Sequence, residues 1–200
     1  MRNYFSNFKL IIFDLDNTLI NEEDYLFQGY KKIANYLLEK YRINDSLIES
    51  TLIEEFCLNG RKNLFDKLFN KFKITHEELD AVLKILREFK PFNKIPLIHP
   101  MKIILEKLKL TGIPYIILTN GNPAQQKNKI NNIEWGDLLP HVIYANEIEP
   151  KPSDLSIKKY LYSTNKQFDK KQILMIGDSK VDKLFAKNFG CKFSFVSNFL

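Results

Sequence analysis

Two aspartates stand one residue apart at the end of an apolar run: Leu10-Ile11-Ile12-Phe13 leads directly into Asp14-Leu15-Asp16. The run reads as a buried strand. A buried charge is costly unless something pairs with it. Either the run stops at the surface and the acids are solvated, or they hold a cation or do chemistry. Side chains at i and i+2 of an extended chain point to one side, about 6–7 Å apart, so Asp14 and Asp16 can flank one small reacting group. Carboxylates that close raise each other's pKa, and a divalent cation and a lysine would relieve the repulsion. A hard cation such as Mg²⁺ takes oxygen ligands and keeps several waters. Asp14 and Asp178 are suitable ligands, with Lys151 as the compensating positive charge.

Three more apolar stretches end in distinctive polar residues: "ILTNG", "ANEIEPKP" and "MIGDSKVD". If all are strands of one open parallel sheet, their carboxyl ends form the edge where such sheets bind ligands. Asp14, Thr119, Lys151, Asp178 and Asp182 then meet at that edge. Asp182 also suits the first turn of the helix it begins, because acids favour helix N-termini, and Ser179 is a candidate cap.

The elements that must position these residues are legible as a change of period. Before residue 20 and after about 95, short apolar strands alternate with helical segments: "MKIILEKLKLTG", "PYIILTNG", "PAQQKNKINNI", "HVIYANE", "SDLSIKKYLYST", "QILMIGDS", "VDKLFAKNFG" and "KFSFVS". Alternation of this kind predicts parallel βαβ units and a doubly wound, Rossmann-like α/β sheet. Between them helical periodicity dominates. Leu26, Tyr30, Ile33, Leu37 and Leu38 share one face, and "DSLIESTLIEEF" and "THEELDAVLKIL" open with capping-box patterns at Asp45 or Ser46 and at Thr75 with Glu78. About four helices are expected there, ending at the proline-rich "KPFNKIPLIHP". The chain thus divides into an α/β core, 1–20 with 95–200, and an inserted helical cap, 21–94. Phe65, Phe69 and Phe72 have helical spacing and read as the core of that lobe.

Composition bounds the function. The chain has 200 residues, 44% hydrophobic and 13% aromatic, with a net charge of +6. This is a globular composition. The lysines are dispersed over amphipathic segments, so no nucleic-acid partner is expected. No apolar run reaches transmembrane length, and the basic start followed by a short apolar run lacks a signal-peptide cleavage site. Cys57 and Cys191 sit in no metal-ligand spacing and read as two buried free thiols in a reducing cytoplasm. His76, His99 and His141 have no partners at ligand spacing.

Taken together, "DLDNT" (DxDxT), "LTN", "KP" and "GDSKVD", in that order and spacing, resemble the four motifs of the haloacid dehalogenase-like (HAD) superfamily of hydrolases. The helical insert directly after the first motif resembles the cap of the helical-cap (C1) subfamily. The resemblance implies that Asp14 is a nucleophile forming an aspartyl-phosphate. Asp16 would protonate the leaving oxygen and then activate water, its backbone carbonyl also binding Mg²⁺. Thr119 and Lys151 would hold the phosphoryl group, with Asn120 and Gly121 offering backbone to it. Asp178 would ligate Mg²⁺, and Asp182 would support the metal's water shell and Lys151. Thr18 would stabilise the first-motif loop. Dehalogenases of the superfamily lack an acid two positions after the nucleophile and need no Mg²⁺, so Asp16 and the acidic fourth motif point to a phosphatase. The partner expected is a small phosphorylated metabolite, a sugar phosphate or nucleotide before a small acid. A phosphomutase and a non-enzymatic binding protein are the alternatives on the same fold. In the cap, Arg61 and Lys62 of "NGRKN" read either as contacts to the leaving group or as a solvated basic turn.

Overall fold

The computed structural model describes residues 4–200. By their contacts these fall into two compact units, one running up to Glu22 and resuming over Ile95–Leu200, the other Glu23–Lys94.

The first unit is built on five parallel strands, β1 (Leu10–Phe13), β2 (Tyr115–Thr119), β3 (His141–Tyr144), β4 (Ile173–Gly177) and β5 (Lys192–Phe195). Their order in the sheet is β3-β2-β1-β4-β5, a doubly wound α/β arrangement. Burial explains which strand sits where. All four residues of β1 and all five of β4 are buried, whereas the edge strands β3 and β5 each bury one residue fully. Strands covered on both faces need unbroken apolar runs, and edge strands do not. Register places Phe13 beside Ile117 and Ile176, so β1, β2 and β4 end within two residues of one another. Leu10 and Ile12 pack with Met175, Ile157, Phe185 and Phe189 in one hydrophobic cluster; Ile11 and Phe13 point to the opposite face.

The helices of this unit are α5 (His99–Leu110), α6 (Pro123–Asn132), α7 (Leu155–Ser163) and α8 (Lys180–Phe189). Pro100 lies in the first turn of α5, where its missing N–H costs nothing; the last residues of the proline-rich stretch thus open this helix instead of ending a linker. Asn122 caps α6, accepting from the N–H groups of Ala124 and Gln125. Ser179 and Asp182 form a reciprocal capping box on α8, which ends at Gly190 in the left-handed region.

The second unit holds α2 (Asp45–Asn59), α3 (Leu64–Phe72), α4 (Leu79–Glu88) and all but the first residue of α1 (Glu22–Tyr41). Leu26, Tyr30, Ile33 and Leu37 of α1 are buried, but Leu38 is exposed because it falls a residue beyond the stripe. Tyr25 donates its hydroxyl to the Leu86 carbonyl at 2.6 Å. Gly29 lets α1 approach α4: a Cβ there would lie 2.6 Å from Leu86 Cδ2. Two caps differ from expectation. Asn44, not Asp45 or Ser46, caps α2 through the Leu47 N–H. Thr75 caps a short 3₁₀ turn, but Glu78 does not reach back to it. Glu78 is buried and accepts from Tyr36, Lys40 and Tyr41 at 2.5, 2.6 and 3.0 Å. Cys57 is exposed and Cys191 half-buried; Cys57 lies on α2, which buries only Ile48, Thr51 and Leu52. Among the described residues no helix is long and apolar enough to cross a membrane.

Candidate active site

The chemically distinctive residues lie at the carboxyl ends of strands of the central sheet or in the segments that follow them. Asp14 follows β1, its N–H still donating to the Ile176 carbonyl of β4 at 2.9 Å, so the ladder fixes where its side chain emerges. Beyond it the chain folds into a tight loop, the Leu19 N–H returning to the Leu15 carbonyl at 2.9 Å. Asn17 occupies the left-handed region at φ 55°, which Asn tolerates better than most residues. Thr18 is fully buried in this loop. Its N–H bonds to the Leu15 carbonyl, while its Oγ1 has no hydrogen-bond partner among the described residues.

Lys151 binds the centre together. It is buried, and its Nζ lies 2.6 Å from Asp14 Oδ1 and 2.6 Å from Asp182 Oδ1. The other Asp182 oxygen accepts from the N–H and hydroxyl of Ser179, so one carboxylate both starts α8 and anchors the lysine. Gly177 permits this, since a Cβ there would lie 2.6 Å from Asp182 Cγ. Asp14, Asp178 and Asp182 can each present an oxygen with all three within 4.8 Å of one another. Asp14 and Asp182 are buried, whereas Asp178 is exposed at the rim. Three carboxylates against one ammonium leave two negative charges when all are ionised, the deficit a divalent cation neutralises. Oxygen-only donors also suit a hard ion.

The charge balance shows in the titration of these groups. Burial pushes the Asp14 carboxyl up to about 7, against the pull of Lys151, with Asp182 and Asp16 adding to the rise. Burial also raises Asp178, helped by Asp182. For Lys151 burial acts to lower the pKa, but Asp14 and Asp182 outweigh it and hold the ammonium above its ordinary value.

Thr119 ends β2 and is buried; its hydroxyl donates to the Asn120 carbonyl at 3.3 Å. Asn120 uses its side chain, accepting from the Lys151 N–H at 2.8 Å and donating to the Lys151 carbonyl at 2.9 Å. The Gly121 N–H is taken by Asn146 Oδ1 at 2.9 Å. The Asn120 side chain and the Gly121 N–H thus tie loops together.

Asp16 lies outside the carboxylate cluster. Its two oxygens accept from Lys129 Nζ at 2.7 and 2.8 Å, and Oδ2 accepts from Gln126 Nε2 at 2.9 Å. Lys129 and Gln126, both on α6, were not singled out by sequence. Their spacing of three puts them on one helix face, the available signal, but nothing in "PAQQKNKINNI" marks one lysine as fully buried. Arg61 and Lys62 belong to the other unit, exposed in the turn between α2 and α3.

This constellation on a doubly wound sheet has known counterparts. The sequence pattern of the family "Haloacid dehalogenase-like hydrolase" matches residues 11–196. Over 193 residues the chain is 27% identical to a glyceraldehyde 3-phosphate phosphatase of Pyrococcus abyssi, covering 92% of this chain and 79% of the relative. A phosphoglycolate phosphatase of Vibrio cholerae is 25% identical, covering 92% and 81%. Among solved structures, the magnesium-bound YfnB of Bacillus subtilis superposes with a TM-score of 0.62 at 17% identity, covering 93% of this chain and 85% of that one. A HAD-superfamily hydrolase of Ehrlichia chaffeensis gives 0.56 at 19%, covering 92% and 85%.

The chain belongs to the haloacid dehalogenase-like hydrolase family. With phosphatases as curated relatives over nine-tenths of its length, it is a phosphatase of that family, a phosphoric monoester hydrolase.

Proposed function

We propose that the protein hydrolyses small phosphomonoesters by way of an aspartyl-phosphate on Asp14, with Mg²⁺ as its cation. The observation that carries this reading is Lys151, buried and bridging Asp14 and Asp182 at 2.6 Å each, beside the third carboxylate of Asp178. A lysine in that place neutralises charge where a phosphoryl group would gather it, which suits phosphoryl transfer, a reaction governed by positioning and electrostatics.

The steps assigned to the chain's own residues are these. An Asp14 oxygen attacks phosphorus while the ester P–O bond breaks, and Asp16 gives its proton to the leaving oxygen. Asp16 then takes a proton from water, whose oxygen attacks phosphorus. The bond to Asp14 breaks and inorganic phosphate leaves. Thr119 and Lys151 hold the phosphoryl oxygens. Asp14, Asp178 and the Asp16 carbonyl would hold Mg²⁺, with Asp182 supporting its waters; the ion supplies charge neutralisation on the phosphoryl oxygens. The helical unit is proposed as the cap that selects the substrate, and the cytoplasm as the compartment.

The relatives named for glyceraldehyde 3-phosphate and phosphoglycolate favour a short phosphorylated carbon skeleton, a sugar phosphate first. The test is free phosphate released from a panel of phosphomonoesters, with Mg²⁺ and with EDTA, by wild type and Asp14→Asn. Release that needs Mg²⁺ and vanishes in the variant is the expected result. No release from any ester by folded protein, or an isomerised phosphate product instead, overturns the reading.

A further inference from the structure

Lys129 is fully buried, and its Nζ contacts both oxygens of Asp16 and also Glu22 Oε1 at 3.2 Å. Withdrawing an ammonium from water costs several kcal/mol unless close carboxylates offset it, and an apolar side chain of similar volume commonly stabilises a fold as well or better. A buried lysine is thus a poor device for stability and calls for another use. Gln126, one turn earlier, donates from the same Nε2 to Asp16 Oδ2 and to the Asn120 carbonyl at 2.7 Å. Asp14 and Asp16, two residues apart, are in this way held by different lysines on different elements. Asp14 is drawn to Lys151 beside Asp178 and Asp182, and Asp16 to α6.

We infer that Lys129, with Gln126, is the positioning residue for Asp16. It fixes this carboxylate at one place beside Asp14 and keeps it from becoming a fourth acid in the Asp14–Asp178–Asp182 cluster or a rival for Lys151. Without Lys129 the Asp16 side chain loses its lysine contact to Oδ1 and keeps Gln126 on Oδ2, and proton delivery to the leaving oxygen suffers while the phosphoryl site stays intact. The inference rests on the phosphatase reading, in which Asp16 carries that proton.

The leaving group separates this role from a structural one. Full-length wild type, Lys129→Met, Lys129→Arg, Gln126→Met and Asp16→Asn are compared for kcat and KM on two esters. The first is p-nitrophenyl phosphate, whose leaving group departs without a proton. The second is glyceraldehyde 3-phosphate or 2-phosphoglycolate, whichever the wild type turns over faster; an alkoxide needs the proton. Lys129→Met is expected to lose about a hundredfold in kcat on the alkyl ester and under about tenfold on the aryl ester, the scale of general-acid catalysis, with KM little changed. Lys129→Arg should recover part of the loss, since a guanidinium offers paired N–H donors to a carboxylate. Gln126→Met should show the same bias more weakly, and it carries the test if Lys129→Met does not fold. Equal losses on both esters, or none on either, overturn the inference. A leaving-group bias in Asp16→Asn alone rejects Lys129 but keeps Asp16 as the acid; no bias even in Asp16→Asn removes the acid role itself.

Discussion

The Asn120 side chain holds both backbone groups of Lys151, its Oδ1 accepting from the N–H at 2.8 Å and its Nδ2 donating to the carbonyl at 2.9 Å. Asn120 directly follows β2, so the lysine that bridges Asp14 and Asp182 is placed by the end of a neighbouring strand. A lysine stem has many rotamers; fixing its backbone on both sides leaves the ammonium fewer places to go.

Asn120→Ala removes both bonds and leaves two part-buried backbone groups unpaired, which costs about 1–3 kcal/mol. The larger effect falls on catalysis. A displacement of about 1 Å at a positioned group lowers rates by up to about a hundredfold. We expect kcat to fall by that order, and Asn120→Asp to be no better, since a carboxylate cannot donate to the Lys151 carbonyl. Denaturant melts and steady-state kinetics on the same preparations check this.

Asp14 makes stability depend on pH in the cation-free protein. Its carboxyl is raised from 3.8 to about 7 by burial, Lys151 opposing and Asp182 and Asp16 assisting. A group raised on folding contributes stability that is full below its unfolded value and is lost as pH rises through its folded value. In EDTA the melting temperature of wild type should therefore fall between about pH 4 and pH 7 through this residue. Asp14→Asn removes the penalty, so this variant should melt above wild type at pH 8, the gap narrowing at pH 5. Equal melting temperatures at pH 8 would contradict the assignment.

Gly177→Ala tests the packing that seats Asp182. The new Cβ would lie 2.6 Å from Asp182 Cγ and 2.7 Å from its Cβ, too close for either to stay. Overpacking of this kind costs about 1–3 kcal/mol. Because Asp182 also anchors Lys151 and starts α8, activity should fall with stability. Retained activity at a lowered melting temperature would show that Lys151 does not depend on Asp182.

Glu78 offers a control within the helical unit. Lys40 holds its carboxyl below the ordinary value, with Tyr36 next and burial opposing. A carboxyl lowered on folding contributes above its unfolded value, about 4.5, and loses that contribution as pH falls through the folded one. Glu78→Gln should therefore melt below wild type at pH 7, with the two curves converging under acid conditions.

Several features were legible because local rules and tertiary rules agree. The β1 run is wholly buried as its apolar sequence demands, and "DSKVD" carries both the capping-box spacing and the acid that Lys151 needs. Where they disagree, the sequence misleads. Glu78 stands at capping-box spacing from Thr75, yet three donors from α1 claim it. The Asn120 side chain and the Gly121 N–H are taken by Lys151 and Asn146, partners that "LTNG" does not announce. Lys127 and Lys129 are two residues apart on α6; one makes a surface pair with Glu147, and the other is fully buried against Asp16.

By itself, then, the sequence determined the alternation of strands and helices, the helical insert and the order of four polar strand ends. Each of these depends on period, turn chemistry and chain order, which are local properties. The tertiary structure decided the rest: that Lys151 bridges two acids, that Asp182 serves a helix and a lysine at once, and that Asp16 is paired with a lysine 113 residues away. Contacts between distant segments depend on register and on which helix face turns inward. No local pattern encodes that choice for a single charged side chain.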